Sequence, residues 1–420
     1  MLDLCRALQG LGPAAFLPTG VMLVGTYYRP GPRKNLVFAI YGAAAVFGFF
    51  SGIFVAGVVG EWLRWGWYFW IGAGLTGVTL GTSLVSIPRD GQKRGGEKRT
   101  KMDWPGAVCI VAGLVLVCFA ITQSAHAENG WKTPYIPTLF SVGVVLLMVA
   151  AWIEARVAEQ PLLPASMFKV PCMTPLLLAL FLLYGTWGIF SVYGTLYFQQ
   201  ILGASPLQVV AWYVPLGVAG LILAVLEGFI LHLVSGRILL IISGVGAVGA
   251  QLLLALLPHR PNYWAWIFPA TIMSTIGIDL STILMTVFIT TKIPTEQQGL
   301  AGGVINSVLQ LGVAFVLGFA DIIQSRTVSE VGLGRSYKNT YWLGVAVSGA
   351  GLVLMTIWGK VPKATSELRP EERKELEREA TREVTIDSVN ESRDQLGNQK
   401  PNEGATAFAD RTARLLDDGA

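Results

Sequence analysis

Two charged side chains sit where a charge is hard to place. Asp279 lies fifteen residues into a continuously apolar run from Trp264 to Ile289, deeper than any other acid in such a run. A charge in the middle of a hydrocarbon layer costs several kcal/mol unless it finds water or a partner. A carboxyl at that depth is suited to taking up and releasing a proton; a static, hydrogen-bonded acid is the other reading. Arg6 lies in the outer third of the run Leu2–Tyr27, with five residues before it. Its guanidinium either faces a protein interior or snorkels to the surface. The two differ in depth by about ten residues, roughly 15 Å at 1.5 Å per residue, so they are not expected to pair. Glu227 and His232 end their run where side chains reach water, which gives them an interfacial reading. Asp321 ends a run on the opposite side.

Uncharged polar groups gather among aromatics. Tyr184, Trp187, Tyr193, Gln199 and Gln200 share the run Pro175–Phe198 and its end, and Asn306 and Gln310, four apart, share one helix face. Such groups suit a cavity for a small neutral or weakly basic solute. Belt aromatics and helix–helix hydrogen bonds account for them as well. Gly42, Gly48, Gly52 and Gly57 let helix backbones approach, first as packing and second as a rocking interface. No Walker A loop, metal-ligand cluster or nucleophile elbow is present, and the three histidines stand in no motif. The expectation is a protein that is not an enzyme and has no metal or cofactor. Cys5, Cys109, Cys118 and Cys172 read as small buried hydrophobes.

The elements that hold these residues are helices. Hydrophobic residues make up 53% of the 420 and charged ones only 14%, well below the roughly 25% of a soluble domain. Of the 58 Lys, Arg, Asp and Glu residues, 25 follow Trp358, so a lipid-facing body ends in a polar tail. A net charge of +4 gives no reason to expect nucleic acid. A helix needs about 20 apolar residues to cross about 30 Å of hydrocarbon. Eleven segments qualify: 2–27, 36–59, 67–87, 104–125, 135–153, 175–198, 207–231, 238–257, 264–289, 300–323 and 341–358. Continuous rather than alternating apolarity excludes barrel strands.

Placing the loop with Arg29, Arg33 and Lys34 in the cytosol puts fifteen basic residues on that side. The outer loops then hold six: Arg64, Lys132, Arg260, Arg326, Arg335 and Lys338. The positive-inside rule favours this orientation, with the C-terminus cytosolic and the N-terminus outside. The tail has the composition of disorder, apart from a charged stretch around Leu368–Arg382 that could form a solvated helix.

Four stretches resemble the fungal branch of the fourteen-span drug:proton antiporters of the major facilitator superfamily. Arg6-Ala7-Leu8-Gln9-Gly10-Leu11-Gly12 with Pro18 is similar to the RxxQGxG signature of the fourth span. Gly42 to Gly60, followed by Trp65-Gly66-Trp67-Tyr68-Phe69-Trp70-Ile71, resembles the glycine-rich fifth span and the aromatic start of the sixth. Asp103-Trp104-Pro105-Gly106 resembles the beginning of the extra linker helices. Phe288-Ile289-Thr290-Thr291, Gln298-Gly299-Leu300-Ala301-Gly302, Asn306-Ser307, Gln310-Leu311-Gly312 and Gly318-Phe319-Ala320-Asp321 point to the subgroup of the yeast aminotriazole and borate resistance transporter. One departure stands out: the family's GxxxGPxxGG has a proline where Ile53 follows Gly52 here.

The resemblance implies an all-α polytopic membrane protein of major-facilitator-type bundles. The expected parts are the remnant of an N-terminal bundle (1–88), a linker region with two extra spans (89–171), a six-helix C-terminal bundle (172–358) and a cytosolic tail (359–420). Aligned span by span, the family's first three spans have no counterpart. The expected activity is proton-coupled efflux of a small toxic compound or metabolite by alternating access, with Arg6 and Asp279 as coupling residues. The alternatives are an ammonium or boric acid carrier, or a truncated, non-transporting membrane protein. The expected setting is the plasma or vacuolar membrane, with the chain a monomer and its partners the substrate, protons and lipid.

Overall fold

The computed structural model describes residues 2–27, 32–86, 103–156, 168, 170–292 and 298–359. The basic loop around Lys93–Lys101 and the charged stretch 368–382 of the tail lie outside the described residues, as does the side chain of His232. Eleven α-helices account for most of what is described: α1 Leu2–Tyr27, α2 Pro32–Trp62, α3 Gly66–Ser86, α4 Trp104–His126, α5 Tyr135–Arg156, α6 Met173–Gln200, α7 Pro206–Leu233, α8 Gly236–Ala255, α9 Phe268–Lys292, α10 Gln298–Val331 and α11 Leu333–Trp358. A 3-10 turn, Gly130–Lys132, joins α4 to α5, and a π-helical turn, Tyr263–Ile267, leads into α9. Ten helices among the described residues are long and apolar enough to cross a membrane. The eleventh expected segment, α1, is helical over its whole expected length.

Local chemistry explains several boundaries. Asp103 caps α4, its carboxylate accepting from Gly106 N at 3.0 Å, and Pro105 occupies the first turn, where a missing N–H costs nothing. A side chain at Gly106 would collide with that carboxylate. The expected outer loop around Arg326 to Lys338 is instead helix. α10 runs to Val331 and α11 starts at Leu333, with only Gly332, at φ 80°, between them. Hydropathy ends where polar residues begin, whereas the hydrogen-bonded ladder continues past the hydrocarbon. Lys338 shows how such an extension is used: its ammonium donates to the carbonyl of Leu257 at the end of α8.

Helices α6 to α11 pack together. α6 lies against α10 and α11, and α8 against α9 and α11. Two cores fill the bundle. At one end the side chains are aliphatic, around Leu176, Leu180, Leu183, Leu239 and Met355. At the other they are aromatic, around Phe190, Tyr193, Tyr197, Phe198, Tyr213, Tyr337 and Tyr341. A band of buried polar groups lies between. Gln251 donates from Nε2 to Thr186 O at 2.6 Å, and Ser243 to Gly277 O at 2.7 Å.

Glycine sets the tightest crossings. The Gly312 backbone of α10 approaches Phe181 of α6, and Gly277 of α9 approaches Ala247 of α8, so closely that a Cβ would strike main-chain atoms. The hairpin of α4 and α5 attaches through α4 to α10, where Gly318 meets Ile121. Arg326 closes that joint. Its guanidinium lies over Gly130, whose φ of 54° already favours glycine. The four cysteines are free; Cys5 is exposed and the other three half-buried, so none packs as the fully buried group expected.

Candidate functional site

A cavity of about 250 Å³ opens between α2, α6 and α7. α6 contributes Trp187, Ser191, Thr195 and Gln199, a stripe at four-residue intervals that a helix turns into one face. α2 supplies Phe49, Ile53, Ala56 and Gly57, and α7 supplies Pro206, Val209, Val210, Tyr213 and Leu216. An adjoining hollow of about 370 Å³ shares Phe49, Ile53 and Ala56 and adds Gly48, Gly52 and Tyr68. No side chain lining either space carries a formal charge. Phe49 reaches across to Trp187, ring centres 5.6 Å apart, and Trp187 stacks on Phe190 at 5.8 Å. Ser191 turns its hydroxyl onto Trp187 O, and Thr195 lies 3.3 Å from the Tyr213 hydroxyl. The walls are aromatic, with a few neutral hydrogen-bonding groups.

α2 holds this wall in place by close contact with α7. A Cβ at Gly57 would overlap Val210, one at Gly217 would meet Phe50, and one at Gly220 would meet Val46. At the end of α2, Glu61 accepts from Leu207 N at 3.3 Å, in the first turn of α7. Of the four glycines singled out from sequence, Gly57 makes a close helix contact. Gly42, Gly48 and Gly52 have no atom of another helix within 4 Å of where a Cβ would stand.

Asp279 lies elsewhere, at the crossing of α9 with α7. Its Oδ2 stands 3.2 Å from the position a Cβ would take at Gly220. Tyr184 of α6, beside Thr282, is within its electrostatic reach. So is Glu227, which departs from the interfacial placement expected: it is 6% exposed, and its Oε1 has no hydrogen-bond partner among the described residues. Neighbouring helices cover the face of α7 that carries Glu227, which counting residues from the end of a span does not reveal.

The remaining candidates are dispersed. Arg6 is exposed on α1; it donates to Gln9 at 3.1 Å and lies 4.8 Å over the Phe69 ring of α3. Tyr193 donates to Asp321 at 2.5 Å across α6 and α10, and Tyr337 donates to Gln200 at 2.6 Å. These two pairs tie the aromatic end of the bundle together, and Asp321 sits within α10 rather than at its end. Asn306 bonds its own helix at Gly302 O, and Gln310 is exposed. Trp187 and Gln199 thus join the cavity, whereas Tyr184, Tyr193, Gln200, Asn306 and Gln310 are not among its lining residues. Sequence reasoning missed Phe49, Ser191, Thr195 and Tyr213. The every-fourth stripe on α6 was the signal that could have found part of that set.

A body of membrane-length helices with a neutral aromatic cavity between packed helices defines a polytopic membrane carrier. The chain belongs to the Major Facilitator Superfamily, whose sequence pattern matches residues 1–317, and it is a membrane transporter. It is 32% identical to the low affinity ammonium transporter of Saccharomyces cerevisiae over 83% of this chain and 68% of that protein. The aminotriazole resistance protein of the same yeast is 30% identical over 86% of this chain and 68% of its own length. An efflux pump of Aspergillus terreus, terJ, is 29% identical over 83% and 68% respectively.

Proposed function

We propose that this chain exports a small neutral or weakly basic compound in exchange for protons, by alternating access. The uncharged aromatic cavity between α2, α6 and α7 carries this reading, since it offers stacking and hydrogen bonds but no counter-ion. Similarity to an efflux pump and to an aminotriazole resistance protein supports it. Asp279 is the coupling residue, because its carboxyl lies where α9 crosses α7 at Gly220. Arg6, which donates to Gln9 and lies over the Phe69 ring, is the other coupling residue. Residues 1–88 and 172–358 form the two parts that rock, the pair α4–α5 within 89–171 is an accessory hairpin, and the 359–420 tail is cytosolic. The protein works as a monomer in the plasma or vacuolar membrane.

Purified chain in proteoliposomes, given an imposed pH gradient and radiolabelled aminotriazole, tests this directly. Gradient-driven accumulation supports the reading, and uptake no greater than in empty liposomes removes it. A second reading, carriage of ammonium, rests on the yeast ammonium transporter relative. Methylammonium uptake that exceeds aminotriazole uptake and ignores the pH gradient would favour it.

A further inference from the structure

We infer that Glu227 is a second proton-carrying group, working in series with Asp279 on the side of α7 that loop charge assigns to the cytoplasm. The inference rests on the proton-coupled reading above and deepens it. Glu227 and Gly220 are seven residues apart on α7, close to two turns, and so share a face. Gly220 is where α7 meets Asp279: with no side chain in the way, the carboxyl packs on the α7 backbone. Glu227 continues the same face, buried at 6% exposure, with Oε1 unpartnered among the described residues and Asp279 within electrostatic reach.

A buried carboxyl with an unused oxygen is costly unless function retains it. Neither acid has a cationic side chain acting on it among the described residues. Among the described residues, the titratable neighbour of Asp279 besides Glu227 is Tyr184 from α6, beside Thr282. Seven residues of α7 are about 10 Å of helix, so the two carboxyls act on each other through the field rather than by contact. Without a cation both are not comfortably ionised together, and a proton taken up at one favours release at the other. In the transfer Asp279 gives up its proton and becomes the carboxylate while Glu227 becomes the acid. Glu227 then releases the proton when alternating access opens this face of α7 to the cytoplasmic side.

Infrared spectroscopy of the purified full chain across a pH series reads protonated carboxyls without any substrate. Wild type should show two buried-carboxyl bands that titrate. Glu227→Gln should remove one and move the pH midpoint of the other, and Asp279→Asn should do the converse. Glu227→Asp, which keeps a carboxyl, should restore a second band and serves if the glutamine variant folds poorly. In the same preparations, Glu227→Gln should lower gradient-driven aminotriazole uptake at least about tenfold. An unchanged Asp279 band in Glu227→Gln, or wild-type gradient-driven uptake in that variant, overturns the inference. If wild type carries no aminotriazole, the substrate reading fails, while the bands still decide whether the two acids share a proton.

Discussion

Trp187 and Asp279 divide the labour proposed for this protein, one touching solute and the other holding the proton. Trp187 sits between Phe49 and Phe190 on the cavity wall, so it offers stacking to a flat solute. Trp187→Ala should cost at least about tenfold in kcat/KM for aminotriazole flux, equivalent to about 1.4 kcal/mol. Trp187→Phe, which keeps an aromatic face, should cost less; equal losses in the two would show that the ring does not stack on solute. Asp279→Asn should leave the chain inserted and monodisperse but lower pH-gradient-driven flux by about a hundredfold or more, the scale of a lost proton-transfer group. Flux in that variant with an unchanged pH profile would assign coupling to another residue. The depth of Asp279 was legible in the sequence, because an acid far inside an apolar run stands out, although a static hydrogen-bonded acid reads the same way. Glu227 was not, because depth along one helix says nothing about which other helices cover its end.

At the scale of helices, the α2–α7 contact decides whether the cavity has a wall. Gly57 allows Val210 to seat against the α2 backbone, and a Cβ there would overlap it. Gly57→Val should therefore destabilise the chain by about 1–3 kcal/mol, read as a lower midpoint in a thermal unfolding scan in detergent. Gly48→Val, on the same helix with no neighbour at that distance, should change the midpoint far less. Comparable losses at both would mean that helix propensity rather than packing sets the cost. The two glycines look alike in sequence, since small residues at close spacing announce that a helix can be approached, not which turn is. The spans themselves were legible because hydrocarbon demands an unbroken apolar length. Their ends were not: Arg326, Arg335 and Lys338 read as loop charges, yet they ride on helix that continues beyond the apolar run.

For the whole molecule, a bundle of α6 to α11 with α2 docked on α7 gives a carrier its cavity at a seam between packed units. Seams of that kind are where alternating access places its substrate. The walls hold neutral polar and aromatic groups, whereas the carboxyls of Asp279 and Glu227 are not among the lining residues; Asp279 meets α7 at Gly220 and Glu227 lies two turns further along it. In the proposed reading, solute and proton occupy different places joined by one helix, α7, which lines the cavity with Tyr213 and Leu216 and meets Asp279 a turn further on. Movement of α7 would act on both sites at once. The measurement that bears most directly on this is aminotriazole transport by the purified chain in proteoliposomes, with and without a pH gradient. Accumulation that follows the gradient, collapses with a protonophore and is lost in Asp279→Asn is the expected result. Accumulation that is indifferent to the gradient, or no greater than in protein-free liposomes, would contradict a proton-coupled carrier built on these residues.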